Sequence, residues 1–202
     1  MPRERVAMLS QEASLEMLER LGLHEPMARL NIFRTLFHRP KTAKAISDLL
    51  LSLIFEAKLE HRLRELVIMR IGWVTGCDYE WTQHWPLALE LFGCSREELL
   101  AVRDWRDRDI ECFDERDRAV LTATDELLET GDLGDESWAR CEATLGRDAS
   151  IDLVAAVATW HLISKLARGL RIPLEEGVGS WPPDGTPSPA ERRPVTRGGP
   201  DG

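Results

Sequence analysis

The chain reads as an all-α protein, and three observations predict it. Apolar residues recur at steps of three and four along most of its 202 residues, as in HRLRELVIMRIGWVT over 61–75. Gly and Pro fall where those runs stop, as at Gly22, Pro40, Gly76, Gly93, Gly131, Gly146 and Pro173. No alternating strand pattern stands out, and no sustained internal repeat is present.

Taken in order, residues 1–24 are expected to be a loose leader followed by a short helix over 14–22 with Ser14 as its cap. Residues 25–38 read as one helix with Pro26 near its start, where a missing N–H does no harm. A helix over 42–56 is strongly apolar in its second half. The helix over 60–75 carries one apolar stripe of Leu63, Leu66, Val67, Ile71 and Val74, and a second of Ile68, Met69 and Gly72. A helix apolar on both sides is a buried one.

After Gly76, Asp78 is expected to cap a helix running to about Phe92. Ser95 and Glu98 have the spacing of a capping box for a short helix over 96–103. Helices over 114–129, 135–145 and 149–169 complete the set, the last with Ala155, Ala156 and Ala158 for close contact. The helical domain is thus expected over 25–176. Residues 177–202, rich in Pro, Gly, Arg and Ser, are expected to form a disordered tail.

Composition narrows the function. A formal net charge of -9 argues against a nucleic-acid partner, since phosphate recognition draws on clustered Lys and Arg. No run of about 18 apolar residues is present, so no membrane span is expected. The first residues lack the continuous apolar stretch of a secretory signal, so a cytoplasmic location is expected. The four cysteines, at 77, 94, 112 and 141, match no zinc-ribbon or redox-pair spacing and are expected to be free thiols.

The chemistry concentrates in 61–92. Cys77, Glu80 and His84 occupy positions i, i+3 and i+7, so a thiol, a carboxylate and an imidazole fall on one helical stripe. Cys77 is expected in the first turn, where free N–H groups and the helix dipole favour thiolate. Glu65, on the preceding helix, shares the face of Ile68, Met69 and Gly72. Burial disfavours a charged carboxylate, and a carboxyl group so placed suits proton transfer. Gly72 leaves room for something to approach. A structural ion pair of Glu65 with an Arg such as Arg62 or Arg70, or a helix contact with His61, is the plainer reading. Trp73, Trp81 and Trp85 flank the stripe as packing residues or as an apolar wall for a substrate ring. H-E-x-x-H and paired E-x-x-H signatures are absent, so no metal and no cofactor are expected.

This segment resembles the carboxymuconolactone decarboxylase and alkylhydroperoxidase D-like family. The peroxidase branch of that family has a Glu, then C-x-x-C twelve residues on, then three residues and a His. Here Glu65 stands twelve before Cys77, and His84 takes the place of the His. Glu80 replaces the second Cys, and Tyr79 stands where a relay His is common. The closing AAVATWHLISKLARGLRIPLEEG also resembles the family's last helix. The resemblance implies an alkylhydroperoxidase D-like helical bundle, a homo-oligomer of trimeric type, and a site of Glu65, Cys77, Glu80 and His84.

A dithiol cycle needs two sulfurs, so the departure at Glu80 favours acid–base chemistry, a decarboxylation or isomerisation of a small carbonyl or lactone compound. A Cys77-dependent peroxidase reduced by an outside thiol is one alternative. A helical interaction protein without catalysis is another. Apolar residues within 47–55 fit an intersubunit face.

Overall fold

The computed structural model describes residues 4–181. Among them the regular elements are all helices: α1 (Gln11–Leu21), α2 (Glu25–Arg29), α3 (Asn31–Leu36), α4 (Pro40–Phe55), α5 (His61–Thr75), α6 (Asp78–Glu90), α7 (Arg96–Ala101), α8 (Glu115–Thr130), α9 (Asp135–Leu145) and α10 (Arg147–Leu170). The all-α expectation holds. The capping box at Ser95 and Glu98 forms as its spacing requires, each side chain bonded to the other's backbone N–H.

α5 is the axis of the molecule, packed against α6, α8 and α10. From Leu63 to Trp73 all its residues but Arg70 are buried, the outcome expected of a helix apolar on two sides. Val74, expected on the buried stripe, is 41% exposed. Two apolar cores result. The larger joins α5 to α7, α8 and α10 through residues such as Leu66, Ile71, Leu99, Leu121, Leu153 and Trp160. The smaller lies between α1–α4 and the end of α10, around Phe33, Phe37, Ala43 and Ile163. α6 runs along their seam: Trp81, Trp85 and Ala88 belong to the first core, Cys77 and Tyr79 to the second.

α10 has the length and apolarity of a membrane span, and half of its most apolar window is buried inside the protein. α4 keeps Leu49 and Phe55 exposed, with Ser47 and Leu53 turned inward.

Several boundaries differ from expectation. The first helix starts at Gln11 rather than 14: the Ser10 side chain caps it by accepting from the Ala13 N–H, and Ser14 is buried within it. The helix expected over 25–38 is two helices, because Leu30 has an extended backbone (ψ 126°) that breaks the ladder between α2 and α3. Asn31 then takes up the change of direction, its side-chain amide donating to the carbonyls of Pro173 and Leu174. The first residues of the expected tail, 177–181, are exposed but touch α6. Ser180 Oγ donates to Asp78 Oδ1 at 2.6 Å, the Trp181 N–H donates to Thr82, and the Trp181 ring lies 6.0 Å from that of Trp85. The physical reason is Trp181, an aromatic side chain within a polar segment, which finds apolar surface on α6. The remainder of the expected tail, 182–202, lies outside the described residues.

Candidate active site

The turn between α5 and α6 sets the site. Gly76 takes the left-handed conformation (φ 69°), and the Cys77 N–H closes back onto the Gly72 carbonyl at 2.8 Å. This ends α5 and launches α6 against it. Gly72 lets the two helices meet: a Cβ there would lie 3.3 Å from the Trp81 backbone nitrogen. The approach that Gly72 was expected to permit is therefore that of α6 itself.

The four expected residues arrive as two neighbouring pairs. In the first, Glu65 Oε2 lies 2.8 Å from His84 Nδ1. Glu65 is 1% exposed, and its Oε1 accepts from Arg64 Nη2 at 3.1 Å and Nε at 3.3 Å. On the far side of the imidazole, Trp160 Nε1 donates to His84 Nε2 at 3.3 Å. An indole N–H can only donate, so the partners assign the imidazole proton to Nδ1, where it is given to Glu65. The His84 side chain is 19% exposed, which makes it the member of the four open to solvent.

In the second pair, the Ser164 hydroxyl of α10 bonds Glu80 Oε2, and Glu80 Oε1 is buried with no hydrogen-bond partner within the protein. Burial, aided by the nearby negative charge of Glu65, pushes the Glu80 carboxyl up to about 8, against a hydrogen bond from Ser164 that favours its charged form. Thr75 Oγ1, which donates to the Ile71 carbonyl at 2.6 Å, lies 3.3 Å from Ser164 Oγ.

Cys77 corrects one expectation. It is the N-cap residue of α6, not a residue of its first turn; Asp78, expected as the cap, opens the helix. Complete burial and the Glu80 carboxyl push the thiol up to about 12, outweighing the Glu80 backbone N–H and the Ser164 side chain beside it. Desolvation defeats the helix N-terminus here, and the thiol stays protonated at neutral pH.

Other expectations are settled by partner choice. The structural ion pair of Glu65 with an arginine does form, but with Arg64 rather than Arg62 or Arg70: Arg62 reaches Glu98 and Asp117, and Arg70 reaches Asp125. His61 bonds Arg64 and not Glu65. Tyr79 turns to the opposite side of α6, where its hydroxyl donates to Glu175 at 2.7 Å and accepts from the Ile32 N–H. Trp73, Trp81 and Trp85 stack on one another, with centroids 5.4 Å apart at each step. The ring against His84 is Trp160, in edge contact at 6.2 Å.

Three site residues therefore escaped the sequence reading: Arg64, Trp160 and Ser164. A signal for the last two was present. Trp160 and Ser164 are four apart on α10, so they share the face that carries Leu153, Ala156, Val157, Ile163 and Ala167 into the core. A serine on such a face needs a partner inside.

Comparison with known proteins agrees with this architecture. Residues 40–126, the run from α4 into α8 that holds all four expected residues, match the carboxymuconolactone decarboxylase family. No curated protein sequence matches the chain. Among solved structures, a peroxidase-related protein from Ralstonia eutropha with an alkylhydroperoxidase AhpD core superposes with a TM-score of 0.69 at 18% identity, covering 87% of this chain and 94% of that one. A peroxidase-related protein from Silicibacter gives 0.69 at 14% identity over 88% and 95%. The debrominase Bmp8, as a cysteine-to-alanine variant in complex with 2,3,4-tribromopyrrole, gives 0.68 at 17% identity over 86% and 93%. At these identities the likeness speaks for the fold. The segment 40–126 is thus similar to the carboxymuconolactone decarboxylase family, and the fold is that of the alkylhydroperoxidase D-like helical bundles.

Proposed function

We propose that the chain is an acid–base enzyme acting on a small carbonyl or lactone compound by decarboxylation or isomerisation. The observation that carries this reading is the 2.8 Å contact of buried Glu65 with Nδ1 of His84, the half-open member of the site. A carboxylate behind an imidazole fixes its tautomer and stabilises the imidazolium that forms when the other nitrogen takes a proton. Here that nitrogen is Nε2. Its bond to Trp160 is long, and a substrate bearing an acidic C–H takes the place of the indole N–H.

Glu80 is the complementary group. A carboxyl held near 8 is largely neutral at pH 7 and donates a proton to developing negative charge on a substrate oxygen or carbon. In an isomerisation, His84 removes a proton from one carbon and the electron pair is re-protonated at another. In a decarboxylation, the bond to the carboxylate carbon breaks, CO2 leaves, and the pair left behind takes a proton. Cys77 serves in either case as a buried, neutral hydrogen-bonding group.

The Cys77-dependent peroxidase reading requires a thiolate, and the environment of Cys77 opposes one. Assembly through the exposed apolar residues of α4 and a cytoplasmic location belong to the same proposal, with solution mass as the check on assembly.

The test is turnover of a panel of small lactones and keto acids. Glu80→Gln and His84→Ala should each lower kcat/KM by about 10²–10⁴-fold. Full activity in both variants removes the proposal. Dilute peroxide at pH 7 should leave Cys77 unmodified on the same timescale; rapid trapping of a sulfenic acid there reinstates the peroxidase.

A further inference from the structure

Arg64 is nearly as buried as Glu65, at 1% exposure, and it neighbours the site without belonging to the expected set. Its guanidinium has five N–H donors in a fixed fork. One edge, Nε and Nη2, is aimed at Glu65 Oε1. The other nitrogen, Nη1, reaches the Ile54 carbonyl at 3.2 Å, the Leu53 carbonyl at 3.5 Å and His61 Nδ1 at 2.8 Å. Leu53 and Ile54 lie in the last turn of α4, whose carbonyls have no helical partner. The plane of the group also lies over the Phe92 ring, 4.7 Å from its centroid. Arg64 is thus anchored to α4 and Phe92 on one side and to one oxygen of Glu65 on the other.

We propose that Arg64 is the positioning residue of the Glu65–His84 pair: it occupies Oε1 so that only Oε2 faces the imidazole. This deepens the acid–base reading and rests on it. A carboxylate with one oxygen clamped cannot rotate to share both oxygens with the imidazole or to turn away from it. The clamp leaves Oε2 as the acceptor held against Nδ1–H and so, together with the Trp160 N–H at Nε2, keeps His84 in a single tautomer. Arg64 touches no substrate atom in this scheme; it acts through Glu65.

The test reads the tautomer directly and needs no substrate. Full-length protein labelled with 15N is examined by long-range 1H–15N correlation of its imidazoles. In the unsubstituted protein His84 should show a protonated Nδ1 and an unprotonated Nε2. Arg64→Met should give a mixture of tautomers, with faster solvent exchange of the Nδ1 proton. Arg64→Lys keeps the charge but cannot bond Glu65 and the α4 carbonyls at once, and should give a smaller admixture. Thermal melting accompanies each variant. If Arg64→Met folds and His84 stays in one tautomer, the proposal fails. If Arg64→Met does not fold, Arg64→Lys decides: a single tautomer with a native melting curve overturns the proposal, and a mixture supports it. Failure of the acid–base reading appears elsewhere, as unchanged turnover in His84→Ala.

Discussion

Helix α5 faces two sets of buried acids, and they are built differently. Toward α7 and α8, Arg62 bridges Glu98 and Asp117, and Arg70 holds Asp125 at 2.6 Å. Those acids also close helix ends: Glu98 and Asp117 each complete a capping box. Arg62 holds the Glu98 carboxyl below the usual carboxylate range despite burial. Toward α6 and α10, Glu65 shares its charge between an arginine and an imidazole, and Glu80 has one oxygen bonded to a hydroxyl and the other to nothing in the protein. Both sets are buried, so burial alone does not separate architecture from chemistry. The kind of partner does. One set is answered by arginine and by helix N–H groups; in the other, Glu65 has an imidazole beside its arginine and Glu80 has a hydroxyl.

Substitution on each side should break different things. His84→Ala is expected to have the largest effect on chemistry, about 10²–10⁴-fold in kcat/KM, with little change in urea unfolding. Arg62→Ala should do the reverse. It strands Glu98 and Asp117 and should destabilise the fold by about 3 kcal/mol, read from the urea midpoint, with turnover per folded molecule unchanged.

Glu80→Gln sharpens the contrast through pH. The folded-state value of about 8 lies above the ordinary carboxylate value, so the native protein holds a proton that the unfolded chain releases. Stability from this group therefore falls as pH rises from about 4.5 to about 8. Glu80→Gln should melt like the unsubstituted protein near pH 5 and above it at pH 9. A gap of constant size at both pH values would refute the assignment. The smallest effect is expected from Cys77→Ala: about 1 kcal/mol from the lost sulfur, and less than tenfold in turnover. A complete loss of turnover would move Cys77 from neighbour to nucleophile.

The fold was legible because periodicity and punctuation agree along the chain. α5 shows two apolar stripes, α7 its capping box, and α8 and α9 the glycines beyond their ends. The break at Leu30 was not, since an extended backbone between two helical runs leaves periodicity almost intact. In the site, Cys77, Glu80 and His84 could be grouped because local spacing puts them on one side of a helix, and Glu65 joins them through its apolar face and its place twelve residues before Cys77, as in the family that the segment resembles. Their partners could not. Trp160 and Ser164 come from a helix about 80 residues onward, and tertiary packing alone brings α10 to that face. The thiol was misjudged for a related reason: a helix N-terminus is visible in sequence, but the depth of desolvation is a property of everything packed above it.

Glu175 ties together parts of the chain that are made at very different times. It accepts from the Tyr79 hydroxyl, from the Gln83 amide and from the Asn31 N–H, reaching back 96, 92 and 144 residues. During synthesis the back of α6 therefore lacks this latch until residue 175 has left the ribosome, even though α5 and α6 can pair, and Ile32 can reach Tyr79, much earlier. Contacts of such long sequence separation form late, because the loop they close must be ordered first. The nascent chain thus carries Cys77, Glu80 and His84 on a helix that lacks this latch until residue 175 has been made.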